Sequence, residues 1–160
     1  MTIVTVTSVK GRLDTGQRRQ LAETLTDAVL VPEVGQFAPA ARPGFQVHFR
    51  ELDPDAMAIG GKLLADLPDG TDVMVVDIAV MDAAWPADVR GTVIRNVLQS
   101  MADACNQERP SRSWWANFRV IDEGSWGAAS GVLSILDLLA SGVFTPERAA
   151  EVREAIGKRN

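Results

Sequence analysis

The sequence holds one cysteine and one histidine in 160 residues, and each scarcity excludes something. Cys105 alone cannot form an intrachain disulfide and fits a reducing compartment, so a cytoplasmic location is expected. One His and one Cys cannot build a typical zinc site, and neither a metal nor a cofactor is expected. No apolar run approaches the roughly 20 residues needed to span a bilayer. The opening Met1-Thr2-Ile3-Val4-Thr5-Val6 lacks a basic segment and a signal-like stretch, so neither membrane insertion nor secretion is indicated. Basic residues are outnumbered 16 to 21 by acidic ones, and no Lys/Arg cluster exists; nucleic acid is not an expected partner. The acidic residues are scattered, and no pair has a spacing that recommends acid–base catalysis.

What the chain does have is a repeat. Phe49-Arg50-Glu51-Leu52-Asp53 recurs about 69 residues on as Phe118-Arg119-Val120-Ile121-Asp122, with a bulky apolar residue at Met57 and Trp126 and a small one at Ala58 and Gly127. Each copy follows a helical pattern that itself follows a β-rich run. Apolar content of 46% and charged content of 23% suit one globular domain with a real core. The organisation expected is a single domain over 1–160: a first β-α-β unit over 2–64, a second over 72–131, and a helical extension over 132–160.

Residues 2–9 alternate and are rich in Val, Ile and Thr, the pattern of a strand. Asp14 or Thr15 can cap a helix whose apolar face is Leu21, Leu25 and Ala28/Val29. Pro32 and the Gly/Ala/Pro-rich stretch 35–44 read as a loop. Residues 45–51 alternate again, with Phe45, Val47 and Phe49 opposite Gln46, His48 and Arg50. In the second unit, 73–80 is a strongly apolar strand and Pro86 suits a first helical position. Val89, Val93, Val97 and Met101 face inward, and 114–121 is the fourth strand. The right-handed β-α-β rule puts both helices on one sheet face. Residues 132–140 look helical, and Thr145-Pro146-Glu147 is a helix start.

In order and spacing these segments resemble the tautomerase superfamily, over most of residues 2–127. The likeness is carried by Thr2 to Arg12, laid out like the start of 4-oxalocrotonate tautomerase, and by Phe49 to Gly61, whose Ile59-Gly60-Gly61 follows the second strand at the family spacing. Arg12-Leu13, Thr26-Asp27-Ala28, Gln46-Val47 and the length resemble the fused branch containing cis-3-chloroacrylic acid dehalogenase. The resemblance implies an α/β fold with a four-stranded sheet under two helices, a homotrimer, no cofactor, and a small unsaturated or keto carboxylate as ligand. The family's base is an N-terminal proline amine in an apolar pocket, and arginines hold the substrate carboxylate.

Here the proline position is Thr2, which offers a primary amine only if Met1 is removed. With Met1 retained the amine moves by roughly 3.5 Å of chain, more than catalytic placement tolerates. Arg12 matches the arginine ending the first strand. The substrate arginine of the second strand falls on Gln46 and the pocket phenylalanine on Met57. The helix histidine of the dehalogenase branch falls on Val29, its two arginines near Asp82 and Trp85, and its water-activating glutamate near Val120. Those departures argue against hydrolytic dehalogenation.

Two functions remain: cofactor-free tautomerisation or isomerisation, and non-catalytic binding or assembly on a fold that lost its base. The proton-transfer candidates are Thr2, through a freed α-amine of pKa about 7.7–8.0, and His48. For Thr2 the alternative is a plain strand-leading residue, and for His48 a hydrogen-bonded interface residue. Arg12, Arg50 and Arg119, with Gln46 and Met57, are the candidate substrate contacts, since Arg suits bidentate carboxylate binding. The alternative for the arginines is ion pairing across subunits with Glu51, Asp53 or Asp122. Trp115 and Trp126, with Trp114, either line an apolar pocket or serve core and trimer packing.

Overall fold

The computed structural model describes residues 1–68 and 71–158, so the last two positions of the expected extension lie outside it. The main sheet has four strands: β1 (Thr2–Val9), β2 (Phe45–Leu52), β5 (Met74–Met81) and β6 (Trp114–Ile121). Two short hairpins complete the β-structure, β3 (Ala58–Ile59) with β4 (Lys62–Leu63) and β7 (Trp126–Ala128) with β8 (Gly131–Leu133). The helices are α1 (Thr15–Val34), α2 (Ala87–Ala104), α3 (Ile135–Ala140) and α4 (Pro146–Gly157). Sheet order is β2-β1-β5-β6, with β1 parallel to β2, β5 parallel to β6, and β1 antiparallel to β5.

Register carries the duplication into space. β5 begins 72 positions after β1 and β6 begins 69 after β2. Thr5, shifted by 72, is Asp77, and these two are each other's partners across the central pair. Thr2 against Val80 and Ser8 against Met74 then exchange under the same operation. A pseudo-twofold axis therefore runs between Thr5 and Asp77, relating the two β-α-β units.

Strand alternation sorts the residues by face. Val4, Val6, Val47, Phe49, Val76, Ile78, Ala116 and Phe118 pack under α1 and α2 in one continuous core. Gln46, His48, Arg50, Thr5, Asp77, Asn117, Arg119 and Trp115 point to the other, open face. The helices start and stop where local chemistry requires. Asp14 caps α1 in a capping box, accepting from Gln17 N at 2.8 Å while its own N–H donates to Gln17 Oε1 at 2.9 Å. Thr145 caps α4 with Pro146 in the first turn.

Two readings of the sequence need correction. Pro32 lies inside α1, which runs to Val34; burial of the apolar Leu30 and Val34 outweighs the lost N–H. Val132 and Leu133 belong to β8, paired with Gly127 and Trp126, and the helix begins only after Ser134, which caps it. A short apolar run cannot distinguish the two states by periodicity alone.

Candidate functional site

The end of α1, Met1 just before β1, the start of β2, and α3 with the segment that follows it line an apolar cavity of about 230 Å³. Leu30, Val34, Phe45, Leu138, Val143 and Phe144 supply most of its wall, and exposed Ala40 and Ser141 rim it. Met1 and Glu33 are part of its lining, and they bring the terminal amine and a buried carboxyl to this end of the molecule. α1 ends here because Gly35 takes the left-handed conformation, φ 83°, returning its N–H to Val31 O. The glycine also permits close approach: a Cβ there would stand 2.8 Å from Thr145 Oγ1. Thr145 N donates to Val34 O at 2.8 Å, fixing the start of α4 against the end of α1.

Arg148 completes that junction from inside. It is 6% exposed and donates from Nε to Glu33 O at 3.1 Å, and from Nη2 to Ala83 O at 2.6 Å and Ala84 O at 2.9 Å. Its Nη1 pairs with Glu151 at 2.8 Å. One guanidinium thus ties α4 to the end of α1 and to the β5–α2 turn, where Ala84 is held at φ 47°, a conformation L residues rarely adopt.

Glu33 is different. It is 2% exposed, and neither carboxyl oxygen accepts a hydrogen bond from the described residues. The Met1 amine stands 4.0 Å from Oε1, too far for a hydrogen bond. Burial pushes the carboxyl up from 4.5 to about 7, opposed by the charges of the Met1 amine and Arg148. Such a group changes protonation state at neutral pH.

The expected site residues fall in several places. Thr2 is 1% exposed on the helix side, its Oγ1 buried without a hydrogen-bond partner among the described residues, between Phe45 and Val80 in register. Met1 precedes it, its carbonyl accepting from Met81 N at 3.1 Å. His48 is on the open face, within 3.0 Å of Gln46 Oε1. Arg12 lies beyond the opposite end of β1, which spans roughly 23 Å, and Asp72 holds it through Nε at 2.9 Å and Nη2 at 2.8 Å. Its guanidinium also lies 5.8 Å from the Trp114 ring centroid; the hydrogen bonds to Asp72 raise its pKa further, burial opposes them, and the Asp72 charge and Cys105 add to the rise.

Arg50 and Arg119 share a depression on the open face with Thr5, Asp77 and Asn117, astride the pseudo-twofold axis. Met57 and Trp115 meet in a separate groove with Ile59, Val73, Val75 and Ser113. Trp126 is in the β7–β8 hairpin and Trp114 is on the helix side, so the tryptophans line no common pocket. The arginine patch is divided likewise: Arg12 stands apart from Arg50 and Arg119 within one chain. Glu51 and Asp53, expected as partners for the arginines of another subunit, pair with Arg18 at 2.7 Å and Lys10 at 3.5 Å of their own chain.

Glu33 and Arg148 were not among the candidates. A signal existed: Glu33 lies four residues after Val29 on the apolar face of α1, and Arg148 four before Val152 on that of α4. A charge inside an apolar stripe is expensive unless paired or functional.

This sheet, with its paired helices and internal twofold, is the tautomerase fold. No family model matches the sequence, and no curated protein matches it. Solved structures do. One is described as a member of the cis-3-chloroacrylic acid dehalogenase family; it is 20% identical over 95% of this chain and 99% of its own, with a TM-score of 0.66. A second, Pt0534 inactivated by 2-oxo-3-pentynoate, is 16% identical over 85% of this chain and 98% of its own, TM-score 0.65. A third, a fused 4-OT in a symmetric trimer, is 16% identical over 84% and 96%, TM-score 0.65. Identities at this level speak for the fold.

Proposed function

We propose that the protein is a tautomerase-superfamily member, a cytoplasmic homotrimer that binds a small unsaturated or keto carboxylate. It moves a proton within that ligand without a cofactor. The observation that carries this reading is the cavity at the start of β1, where an apolar wall surrounds the Met1 amine and a buried carboxyl. Apolar walls strengthen the electrostatic interactions that stabilise developing charge. The trimeric assembly named for one neighbour supports the oligomer, and a neighbour's inactivation by a keto acid supports the ligand class. Arg50 and Arg119, exposed and with no ion pair among the described residues, offer guanidinium groups to a carboxylate on the open sheet face, apart from this cavity within one chain. Arg12 is occupied by Asp72. Thr2 takes part as the new terminal amine if Met1 is absent from the purified chain.

The second reading, a binding protein without catalysis, is favoured by one observation: the arginine kept from the family pattern is spent on an internal carboxylate. Mass spectrometry of the first residue, followed by a phenylpyruvate keto–enol assay on wild type, His48→Ala and Thr2→Pro, separates the two. Catalysis above buffer in wild type, retained in His48→Ala, supports proton transfer at the cavity. A wild type equal to buffer, with a rate appearing only in Thr2→Pro, supports the binding protein.

A further inference from the structure

We propose that Glu33 is the acid–base residue of the cavity and acts on a small 2-keto acid with an apolar substituent, or on its enol. This rests on the reading above and supplies the group that the missing proline leaves unassigned. Full burial without a hydrogen-bond donor is an unfavourable arrangement for a carboxyl. Nothing in the packing demands it, because neighbouring Leu30 and Val34 show the wall is apolar. Glu33 lines a cavity of about 230 Å³, room for a ligand with a handful of heavy atoms in contact with that wall, and its carboxyl oxygens lie covered behind the lining. Its backbone is fastened by Arg148 through the carbonyl, so the side chain is left unengaged while its position is held.

Alternative groups are committed elsewhere. His48 is on the opposite sheet face. Arg148 is fully used by three carbonyls and Glu151, and Asp82 Oδ1 accepts from Ala84 N at 3.2 Å. The charged groups around Glu33 are the Met1 amine just before β1, Arg148 from α4 with Glu151 behind it, and Asp82, buried in the β5–α2 turn that Arg148 binds. The two cations favour the carboxylate and burial favours the acid, so both forms are populated near neutrality.

In ketonisation, protonated Glu33 gives its proton to the enol carbon. The Glu33 O–H bond breaks and a C–H bond forms. The C=C pair makes that bond, the enol O–H electrons form the carbonyl, and the hydroxyl proton leaves to water at the cavity mouth. The carboxylate then recovers a proton from solvent. Enolisation is the reverse: the carboxylate removes the C–H proton and the oxygen is protonated from water.

The test is the pH profile of phenylpyruvate ketonisation in wild type and Glu33→Gln, with ¹³C NMR titration of the Glu33 carboxyl in wild type with and without phenylpyruvate. The expected result is a kcat loss of about 100-fold or more in Glu33→Gln, with KM little changed. The wild-type rate should fall above a midpoint near 7, and that limb should vanish in the variant. Glu33→Leu should fold, with a higher Tm at pH 8, yet be equally inactive, which separates lost chemistry from lost structure. A Glu33→Gln enzyme with wild-type rate and profile overturns the proposal and leaves the tautomerase reading standing. A wild type with no rate above buffer overturns both. A Glu33 carboxyl signal unmoved by phenylpyruvate overturns the proposal even if neither variant folds.

Discussion

The two ends of β1 handle charge in opposite ways. Beyond Val9, Arg12 meets both oxygens of Asp72, and Ser113 Oγ donates to the Asp72 carbonyl. Before Thr2, Glu33 is buried deeper than either partner of that pair and its carboxyl receives no hydrogen bond from the described residues. The first arrangement is the ordinary solution for a half-buried ion and calls for no functional account. The second lowers stability whenever the carboxyl is ionised, and unfavourable placements of this kind concentrate at sites that do chemistry. The family-matched arginine is thus the weaker lead, and an unmatched glutamate the stronger one.

Removing Arg148 should give the largest effect and break the comparison at its root. Arg148→Met leaves the carbonyls of Glu33, Ala83 and Ala84 without their buried donor, and frees the start of α4. Loss of one member of a buried charged network costs about 3–5 kcal/mol. Urea unfolding at pH 7 measures it. A loss below 1 kcal/mol would mean that Arg148 does not organise the cavity.

Glu33 sharpens the comparison through pH. Its folded-state pKa, about 7, lies above the ordinary 4.5. Between those values the native state binds a proton that the unfolded chain releases, so stability falls as pH rises across the window. At about 1.4 kcal/mol per tenfold, the full cost is on the order of 3 kcal/mol above pH 7 and nil below pH 4. Relative to wild type, Glu33→Leu should therefore be more stable at pH 8 by up to about that amount. The advantage should shrink steadily toward pH 4. Chemical denaturation at several pH values reads the slope, and a parallel pair of curves would show that Glu33 is satisfied in solution.

How much of this could be read from residues alone follows from which interactions are periodic. The four main strands, the Asp14 and Thr145 caps and the Gly60-Gly61 turn were legible because alternation, capping chemistry and positive φ are local. The twofold was legible as the Phe-Arg repeat, since duplicated strands keep their spacing. The cavity was not. Glu33 and Arg148 are 115 positions apart, and neither belongs to a motif. Their juxtaposition depends on how α4 folds back over α1, which no window of sequence contains. Pro32 misled for a related reason: its usual local meaning was overridden by burial on either side.

The smallest expected effect belongs to the well-paired end. Arg12→Met removes the bidentate contact to Asp72, but both side chains are a fifth to a quarter exposed, so solvent discounts the loss to about 1–2 kcal/mol. A second readout is available beside it. Burial raises the Cys105 thiol while Arg12 lowers it, by charge and by hydrogen bonding. Without Arg12 only the raising influences remain, so the thiolate fraction at pH 8 should drop and alkylation by iodoacetamide should slow. Asp72→Asn should act in reverse, since Asp72 is one of the groups that raise the thiol. Equal alkylation rates in all three proteins would show that the Arg12–Asp72 clamp is open in solution, and would return Arg12 to the pool of cations able to bind a substrate.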